Sequence, residues 1–222
     1  MCRDKLMSLA RDLGFHTMFF PNKSIFVHIP KTGGSSLEHA ITAHYLKDYR
    51  QDQQGLLAYK NFTVHGRFKK FPRSKNGRGH PHSYIADYED HLKIDDFFKF
   101  VVLRNPVDQL VSLYNQLRKS NPIPSLEHFV LGEKGMTMSK VDHYIDQYKY
   151  THINGELRID KVFVFDRYAQ AQDFVESHFG LTLDREKRLW KTEHSGETLS
   201  PKAKQHFESV YYRSIELYHQ FL

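Results

Sequence analysis

The segment from Pro30 to Ser36, Pro-Lys-Thr-Gly-Gly-Ser-Ser, combines residue types that bind phosphate. Its two adjacent glycines allow a tight turn and a close approach of the backbone to a ligand. Small hydroxyl residues can cap a following helix, whose free N–H groups form an anion site, and Lys31 adds a positive charge. The segment is not a Walker A loop, because in that motif the lysine follows the glycines. An ordinary Gly–Gly turn with a helix cap is the alternative interpretation.

A second group of residues that could bind phosphate begins at Arg104. Pro106 suits the first turn of a helix, and Ser112 lies about two turns into that helix. An arginine fork and a hydroxyl group that converge on one point can hold a second phosphate. In the alternative interpretation, Arg104 pairs with Asp108 and Ser112 is a buried helix serine.

The sequence has three short apolar runs, residues 24–30, 97–104 and 161–166. The first two lead into the two groups of phosphate-binding residue types. Each run is rich in β-branched or aromatic residues, as are strands buried on both faces of a parallel sheet. A helical pattern follows each run, and Ser200-Pro201 begins a last helical segment that continues to Phe221. The order predicts an α/β fold with a central, mainly parallel β-sheet flanked by helices. Ligands of such folds bind beyond the carboxyl ends of the strands, where the two groups lie.

With both groups in this order, the sequence resembles a known family. IFVHIPKTGGSSLEHA is similar to the 5′-phosphosulfate loop of sulfotransferases that use 3′-phosphoadenosine 5′-phosphosulfate (PAPS), and FKFVVLRNPVDQLVSLYNQ is similar to their 3′-phosphate motif. The variant resembles the carbohydrate (type 2) sulfotransferases, which include the heparan sulfate 2-O-enzymes. KVFVFDRYAQ and the C-terminal segment extend the resemblance. One departure is Gln109, where the family usually has a second arginine.

The resemblance implies a P-loop-like architecture of the sulfotransferase and nucleotide-kinase type. It also implies sulfuryl transfer from PAPS to an acceptor hydroxyl, with adenosine 3′,5′-bisphosphate as product and no metal. Arg104 and Ser112 would hold the 3′-phosphate. The 5′-phosphosulfate would lie against Lys31, Thr32, Gly33, Gly34, Ser35 and Ser36. By the same resemblance the acceptor is a hydroxyl-bearing molecule, expected to be a glycan.

The acceptor hydroxyl needs a general base, and histidine is the side chain best suited to that role near neutral pH. The segment Gly79-His-Pro-His-Ser-Tyr84 resembles the His-x-His segment that supplies the base in heparan 2-O-type enzymes. It indicates His82 as the base and His80 as its helper. His65 and a carboxylate are the rivals. A metal site at the His-x-His pair would need further ligands, which the sequence does not indicate.

The length of 222 residues suits one domain over residues 1–222, and the chain has a formal net charge of +6. We expect a helical extension over residues 1–22 and a basic inserted loop over residues 66–79. Residues 67–78 hold six basic and no acidic residues, and the rest of the chain has 26 of each. This segment is either an acceptor-facing loop that attracts an anionic substrate or a solvated loop.

A single cysteine, Cys2, excludes an internal disulfide framework and a cysteine-based zinc site. The N-terminal segment has no apolar signal-peptide core, and no stretch of the chain is long enough for a membrane span, so the expected location is cytoplasmic. A catalytic domain separated from a Golgi-type membrane anchor is the alternative. Two other functions stay open from the residues alone. One is an atypical or metal-independent nucleotide phosphotransferase. The other is a basic nucleic-acid-binding protein, although the clustered charge makes nucleic acid an unexpected partner.

Overall fold

The structure is a computed structural model, and it describes residues 19–20, 22–45, 84–89, 93–185 and 196–222. The strands are β1 (Phe19–Phe20), β2 (Ser24–Val27), β3 (Phe98–Leu103), β4 (His152–Ile153), β5 (Glu156–Leu157) and β6 (Lys161–Val164). The helices are α1 (Gly34–Tyr45), α2 (Ile85–Glu89), α3 (Pro106–Leu117), α4 (Leu126–Leu131), α5 (Gln147–Thr151), α6 (Tyr168–Phe179), α7 (Pro201–Val210) and α8 (Tyr212–Phe221). Short 3-10 turns cover Ile94–Asp96, Met138–Lys140, Asp142–Tyr144 and Phe165–Arg167.

The main sheet has the strand order β1-β2-β3-β6. Strands β2, β3 and β6 are parallel, with Val27 beside Val101 and Leu103 beside Val164. Strand β1 pairs antiparallel with β2 at the edge. The prediction of an α/β fold with a mainly parallel sheet is therefore confirmed. The carboxyl ends of β2 and β3 lie side by side, so the segments that follow them meet at one edge of the sheet.

Both faces of the sheet are covered, which explains why its strands read as continuous apolar runs. Phe26 and Phe100 stack on one face and belong to a core cluster with residues of α1 and α6. Val27 and Val101 point to the other face, where they belong to a cluster with residues of α2, α5 and α8. A third cluster joins α3, α4 and α7. The sheet thus gives the residues after β2 and β3 a rigid support.

Local signals in the sequence account for several helix ends. Asn105 caps α3 by accepting hydrogen bonds from two backbone N–H groups, with Pro106 at the first helical position. Gly180 ends α6 in a left-handed conformation with φ of +65°. Ser200 caps α7, but the segment predicted to continue to Phe221 is divided at Tyr211 into two helices.

The structure differs from the sequence-based expectations at two boundaries. Phe19–Phe20, placed by the sequence in a helical extension over residues 1–22, form β1, because their backbone pairs with β2 across a turn at Lys23. The run predicted over residues 161–166 leaves the sheet after Val164, and Phe165 begins a 3-10 turn. Most of that extension and the whole basic segment, residues 66–79, lie outside the described residues. Among the helices that the structure describes, none is long and apolar enough to cross a membrane.

Candidate active site

The turn between β2 and α1 holds two residues in left-handed backbone conformations. Lys31 has φ of +66° and Gly33 has φ of +87°. A Cβ atom on Gly33 would lie 2.7 Å from Cε2 of Phe165, so both the backbone angle and the packing require glycine there. A left-handed conformation is uncommon for lysine and costs about 1–2 kcal/mol. The surrounding structure therefore holds Lys31 in a specific, strained position.

Gly34 is required for a different reason, since its backbone angle is ordinary. A Cβ atom there would lie 2.4 Å from Cδ2 of His28. The His28 ring is buried, stacks on Phe26, and places Nδ1 2.7 Å from a carboxylate oxygen of the buried Glu38. The glycine thus allows the beginning of α1 to pack directly on a ring that has little room to move.

The hydroxyl residues of the turn have different environments. Thr32 is fully buried, and its hydroxyl group donates to the Ile29 carbonyl over 2.9 Å, which stabilises the turn. Ser35 and Ser36 are half-buried in the first turn of α1. The Tyr168 hydroxyl donates to the Gly33 carbonyl over 2.8 Å and connects the turn to α6. The turn therefore keeps its shape through contacts with several elements, as a preformed anion site requires.

Arg104 begins the segment after β3 and reaches directly to this turn. Its guanidinium donates to the Lys31 carbonyl over 3.0 Å and lies 4.7 Å from the centre of the Phe165 ring. Its Nε is buried and has no hydrogen-bond partner among the described residues. The alternative pairing with Asp108 is wrong, because no Asp108 oxygen lies within ion-pair distance, although its charge acts on the Arg104 pKa.

Burial lowers the pKa of both cations. The pKa of Lys31 is lowered to about 8, first by burial and then by the positive charges of Arg104 and Lys119. Burial also lowers the pKa of Arg104, with the charges of Asp108 and Asp166 acting in the opposite direction. Two like charges held together in a partly buried site favour an anionic ligand, because an anion would relieve their repulsion and replace lost solvent.

Gln109, the departure from the family pattern, is fully buried on α3. Its side-chain amide nitrogen donates to the carbonyls of Pro30 and Tyr144, each over 2.9 Å. Ser112 is 4% exposed and lies three positions further along the same helix, so the two residues share a face. The burial of Ser112 fits both a phosphate contact and a structural serine. The hydrogen bond from Gln109 to Pro30 shows that this face of α3 contacts the turn between β2 and α1.

Several contacts of the site had no clear signal in the sequence. The Gln147 side chain accepts from the backbone N–H of Arg104 over 3.1 Å and donates to its carbonyl over 2.7 Å. Phe165 lies against both Gly33 and Arg104. Asp166 accepts a hydrogen bond from the Tyr218 hydroxyl over 2.6 Å. The sequence shows Phe165 and Asp166 at the end of an apolar run, but it does not show which residues they contact.

The structure thus brings Lys31, Gly33 and Arg104 together and places Ser112 on the helix that supports them. The predicted base His82, its helper His80 and the rival His65 lie outside the described residues. Within the described ranges, no three side chains of His, Cys, Asp or Glu lie close enough to hold a metal ion.

Two comparisons with known proteins found a match for this chain. A model of the "Sulfotransferase family" matches residues 16–190. A crystal structure of a sulfotransferase from Alicyclobacillus acidocaldarius aligns with a TM-score of 0.41 and 16% sequence identity, covering 89% of this chain and 96% of that chain. No curated protein matches the sequence.

Proposed function

Since this chain belongs to the sulfotransferase family, whose model matches residues 16–190, we propose that it transfers the sulfuryl group of PAPS to a hydroxyl group of a carbohydrate acceptor. Family membership by itself supports a transferase that moves a sulfuryl group onto a hydroxyl-bearing acceptor. The donor, the carbohydrate acceptor and the residues that act on them are parts of the proposal.

The observation that carries the proposal is the convergence of Lys31 and Arg104 at neighbouring strand ends. The Arg104 guanidinium contacts the Lys31 carbonyl, and its charge helps to lower the Lys31 pKa to about 8. Next to these cations, α1 begins at Gly34 with its free N–H groups. Positive charge and N–H donors in a partly buried site suit a ligand with several phosphate-type groups.

The residues present fit the two ends of PAPS. The turn and the first residues of α1 would hold the 5′-phosphosulfate: Lys31, Thr32, Gly33, Gly34, Ser35 and Ser36. The Thr32 hydroxyl stabilises the turn itself. Arg104 would hold the 3′-phosphate, because its buried Nε is a donor without a partner among the described residues. Ser112 would add a hydroxyl contact from α3.

In the transfer, the bond from sulfur to the bridging oxygen breaks, a bond from sulfur to the acceptor oxygen forms, and adenosine 3′,5′-bisphosphate leaves with the electron pair. The protonated Lys31 would stabilise the negative charge that grows on the bridging oxygen. The acceptor hydroxyl loses its proton to a general base, which we propose is His82, oriented by His80. Backbone N–H groups and the two cations supply the positive charge, so the proposal includes no metal.

Nucleotide binding tests the donor. We expect adenosine 3′,5′-bisphosphate to bind more tightly than ATP in the presence of a chelator, measured by calorimetry. Tighter binding of ATP that depends on Mg²⁺ would instead indicate a nucleotide phosphotransferase. Binding of RNA or DNA without either nucleotide would indicate a nucleic-acid-binding protein.

Transfer of radiolabelled sulfate from PAPS to a panel of sugars tests the reaction. Lys31→Ala should lower the rate about 10²-fold or more while circular dichroism shows an intact fold. Lys202→Ala removes an exposed lysine of α7 and is the matched control. Full activity of Lys31→Ala would contradict the assignment of the turn.

The general base is tested separately. His82→Ala should lower kcat far more than it lowers the affinity for adenosine 3′,5′-bisphosphate, because a base acts on the acceptor and not on the nucleotide. His65→Ala is the comparison variant. If the loss of kcat follows His65 instead, the base is assigned to the wrong histidine.

A further inference from the structure

Helix α3 carries a buried polar side chain that the proposed function does not use. Asn115 is 2% exposed, and neither its Oδ1 nor its Nδ2 has a hydrogen-bond partner among the residues that the structure describes. An asparagine side chain can accept through Oδ1 and donate through Nδ2. Because buried groups of this kind are nearly always satisfied in folded proteins, an amide with two unsatisfied atoms is a candidate ligand contact.

Other unsatisfied groups of the same stretch of chain lie at the donor site. Nε of Arg104 and Oε1 of Gln109 are also buried without a hydrogen-bond partner in the described part of the chain. The other polar atoms of these two side chains contact the turn between β2 and α1, since Arg104 donates to the Lys31 carbonyl and Gln109 to the Pro30 carbonyl. Asn115 thus belongs to a segment, residues 104–115, that adjoins this turn.

Asn115 lies on the same side of α3 as Ser112. The two residues are three positions apart, which places their Cβ atoms about 5–6 Å from each other on a helix. The apolar side of α3 is a different one, and it belongs to the third core cluster through Leu110, Leu113 and Tyr114. The amide of Asn115 is therefore a neighbour of the Ser112 hydroxyl and not a polar group within the apolar core.

The end of α3 also lies near Lys31. Lys119 follows the helix one turn after Asn115, and Arg104 precedes the helix. Burial and then the charges of Arg104 and Lys119 lower the Lys31 pKa, so both of these cations are close to the Lys31 ammonium group. Asn115 lies between them along the chain. A ligand held between Ser112 and the turn thus comes within reach of Asn115.

The nucleotide of the proposed function has the chemical pattern that complements an amide. An amide has an acceptor and a donor side by side, so it suits a ligand with a donor beside an acceptor. In the proposed function, Ser112 contacts the 3′-phosphate. The neighbouring ribose carbon carries the 2′-hydroxyl group, which is the one hydroxyl group of the ribose that stays free. A hydroxyl donor and a phosphate acceptor thus lie on adjacent carbons.

We infer that Asn115 recognises the ribose of the nucleotide, with Oδ1 accepting from the 2′-hydroxyl group and Nδ2 donating to an oxygen of the 3′-phosphate. The inference rests on the proposed function, because it adds a contact to the donor of that reaction. It makes Asn115 a specificity-determining residue, which favours the ribonucleotide over its 2′-deoxy form.

Calorimetry with adenosine 3′,5′-bisphosphate and 2′-deoxyadenosine 3′,5′-bisphosphate tests the inference, because the two nucleotides differ by this hydroxyl group alone. The wild type should bind the ribonucleotide about threefold to tenfold more tightly, as one hydrogen bond between uncharged groups gives. Asn115→Leu should bind both nucleotides equally. It should also bind the 2′-deoxy form about tenfold more weakly than the wild type does, since a hydrogen bond to a charged phosphate is lost.

Gln116→Leu is the matched control. It makes the same kind of change at the next position of α3, where the side chain is exposed. This variant should keep the affinities of the wild type and its preference for the ribonucleotide. Asn115→Asp keeps the acceptor oxygen but places a negative charge beside the phosphate. It should therefore bind both nucleotides more weakly and still prefer the ribonucleotide.

Thermal unfolding of the nucleotide-free protein distinguishes a ligand contact from a structural role. Asn115→Leu removes two buried polar atoms that have no partner among the described residues and replaces them by an apolar group of similar shape. The unfolding temperature should therefore stay unchanged or rise by about 2–4 °C. A lower unfolding temperature with an unchanged preference for the ribonucleotide would assign the amide to the core and overturn the inference.

The outcomes separate the two proposals. If adenosine 3′,5′-bisphosphate does not bind the wild type, the proposed function fails and the inference fails with it. If it binds and the 2′-deoxy form binds as tightly, the inference alone is overturned. A preference that persists in Asn115→Leu, or one that is lost equally in Gln116→Leu, would also overturn it. A preference present in the wild type and in Gln116→Leu but absent from Asn115→Leu supports it.

Discussion

The protonation of Lys31 predicts a specific pH dependence of nucleotide binding. Burial and the charges of Arg104 and Lys119 lower the Lys31 pKa to about 8, so the protonated fraction falls from about 90% at pH 7 to about 10% at pH 9. The phosphates of the nucleotide keep the same charge in this range, since their second pKa is about 6. If the protonated lysine binds the 5′-phosphate, the affinity for adenosine 3′,5′-bisphosphate should fall about tenfold between pH 7 and pH 9.

In the nucleotide-free protein, the effect of Lys31 on the free energy of unfolding changes with pH in the opposite direction. Because the folded state lowers the Lys31 pKa below its ordinary value of 10.5, the unfolded chain binds more protons between pH 8 and 10.5. The contribution of Lys31 to the free energy of unfolding therefore increases with pH in this window, while the stabilisation by bound nucleotide decreases. Thermal unfolding with and without nucleotide should show these two trends together.

Calorimetry at pH 7, 8 and 9 at constant ionic strength measures the affinity, and two buffers with different ionisation enthalpies measure proton uptake. Binding at pH 8 should take up about half a proton, because about half of Lys31 is unprotonated there. Lys31→Met, which has no titrating group, should bind weakly with little dependence on pH. An affinity of the wild type that does not change with pH, or the same tenfold fall in Lys31→Met, would refute the reasoning.

Three further variants test how the site is supported. Gln109→Glu replaces the donor of two buried hydrogen bonds by an oxygen that faces two carbonyls, so the free energy of unfolding, measured with urea, should fall by about 2–4 kcal/mol. The control Gln116→Glu, at an exposed position of the same helix, should change it little. Gly34→Ala should destabilise the fold by about 1–3 kcal/mol and weaken nucleotide binding in calorimetry, whereas Gly180→Ala should lose only about 1 kcal/mol with unchanged nucleotide affinity. Ser112→Ala should lower the affinity for adenosine 3′,5′-bisphosphate about threefold to tenfold but not that for AMP, and equal losses for both nucleotides would assign this serine to the core.

The elements of the fold could be predicted because their signals are local. Apolar runs and a proline at a helix start, Pro106, act within a few residues, and the structure has them at the expected places. Since parallel strands align their carboxyl ends, the proximity of Lys31 and Arg104 followed from the order of the elements. Phe19–Phe20 were misplaced because their partner strand, and not their own sequence, decides their conformation.

The contacts that support the site could not be predicted, because they join residues far apart in the chain. Gln147 and Arg104 are 43 positions apart, and Gln109 and Pro30 are 79 apart. Glutamine has no sequence pattern that identifies such a partner, since its amide can pair with any backbone group.

Gln109 shows why the departure from the family pattern is compatible with the site. An arginine would donate to the Pro30 and Tyr144 carbonyls without leaving an acceptor unused, whereas the Gln109 amide oxygen is buried with no partner among the described residues. Such an oxygen costs about 1–3 kcal/mol. An arginine, however, would place a third positive charge beside the turn that holds Lys31, whose pKa is already lowered to about 8. The neutral amide keeps the two hydrogen bonds that hold the turn and leaves Lys31 largely protonated at pH 7, which is the state that the proposed reaction requires.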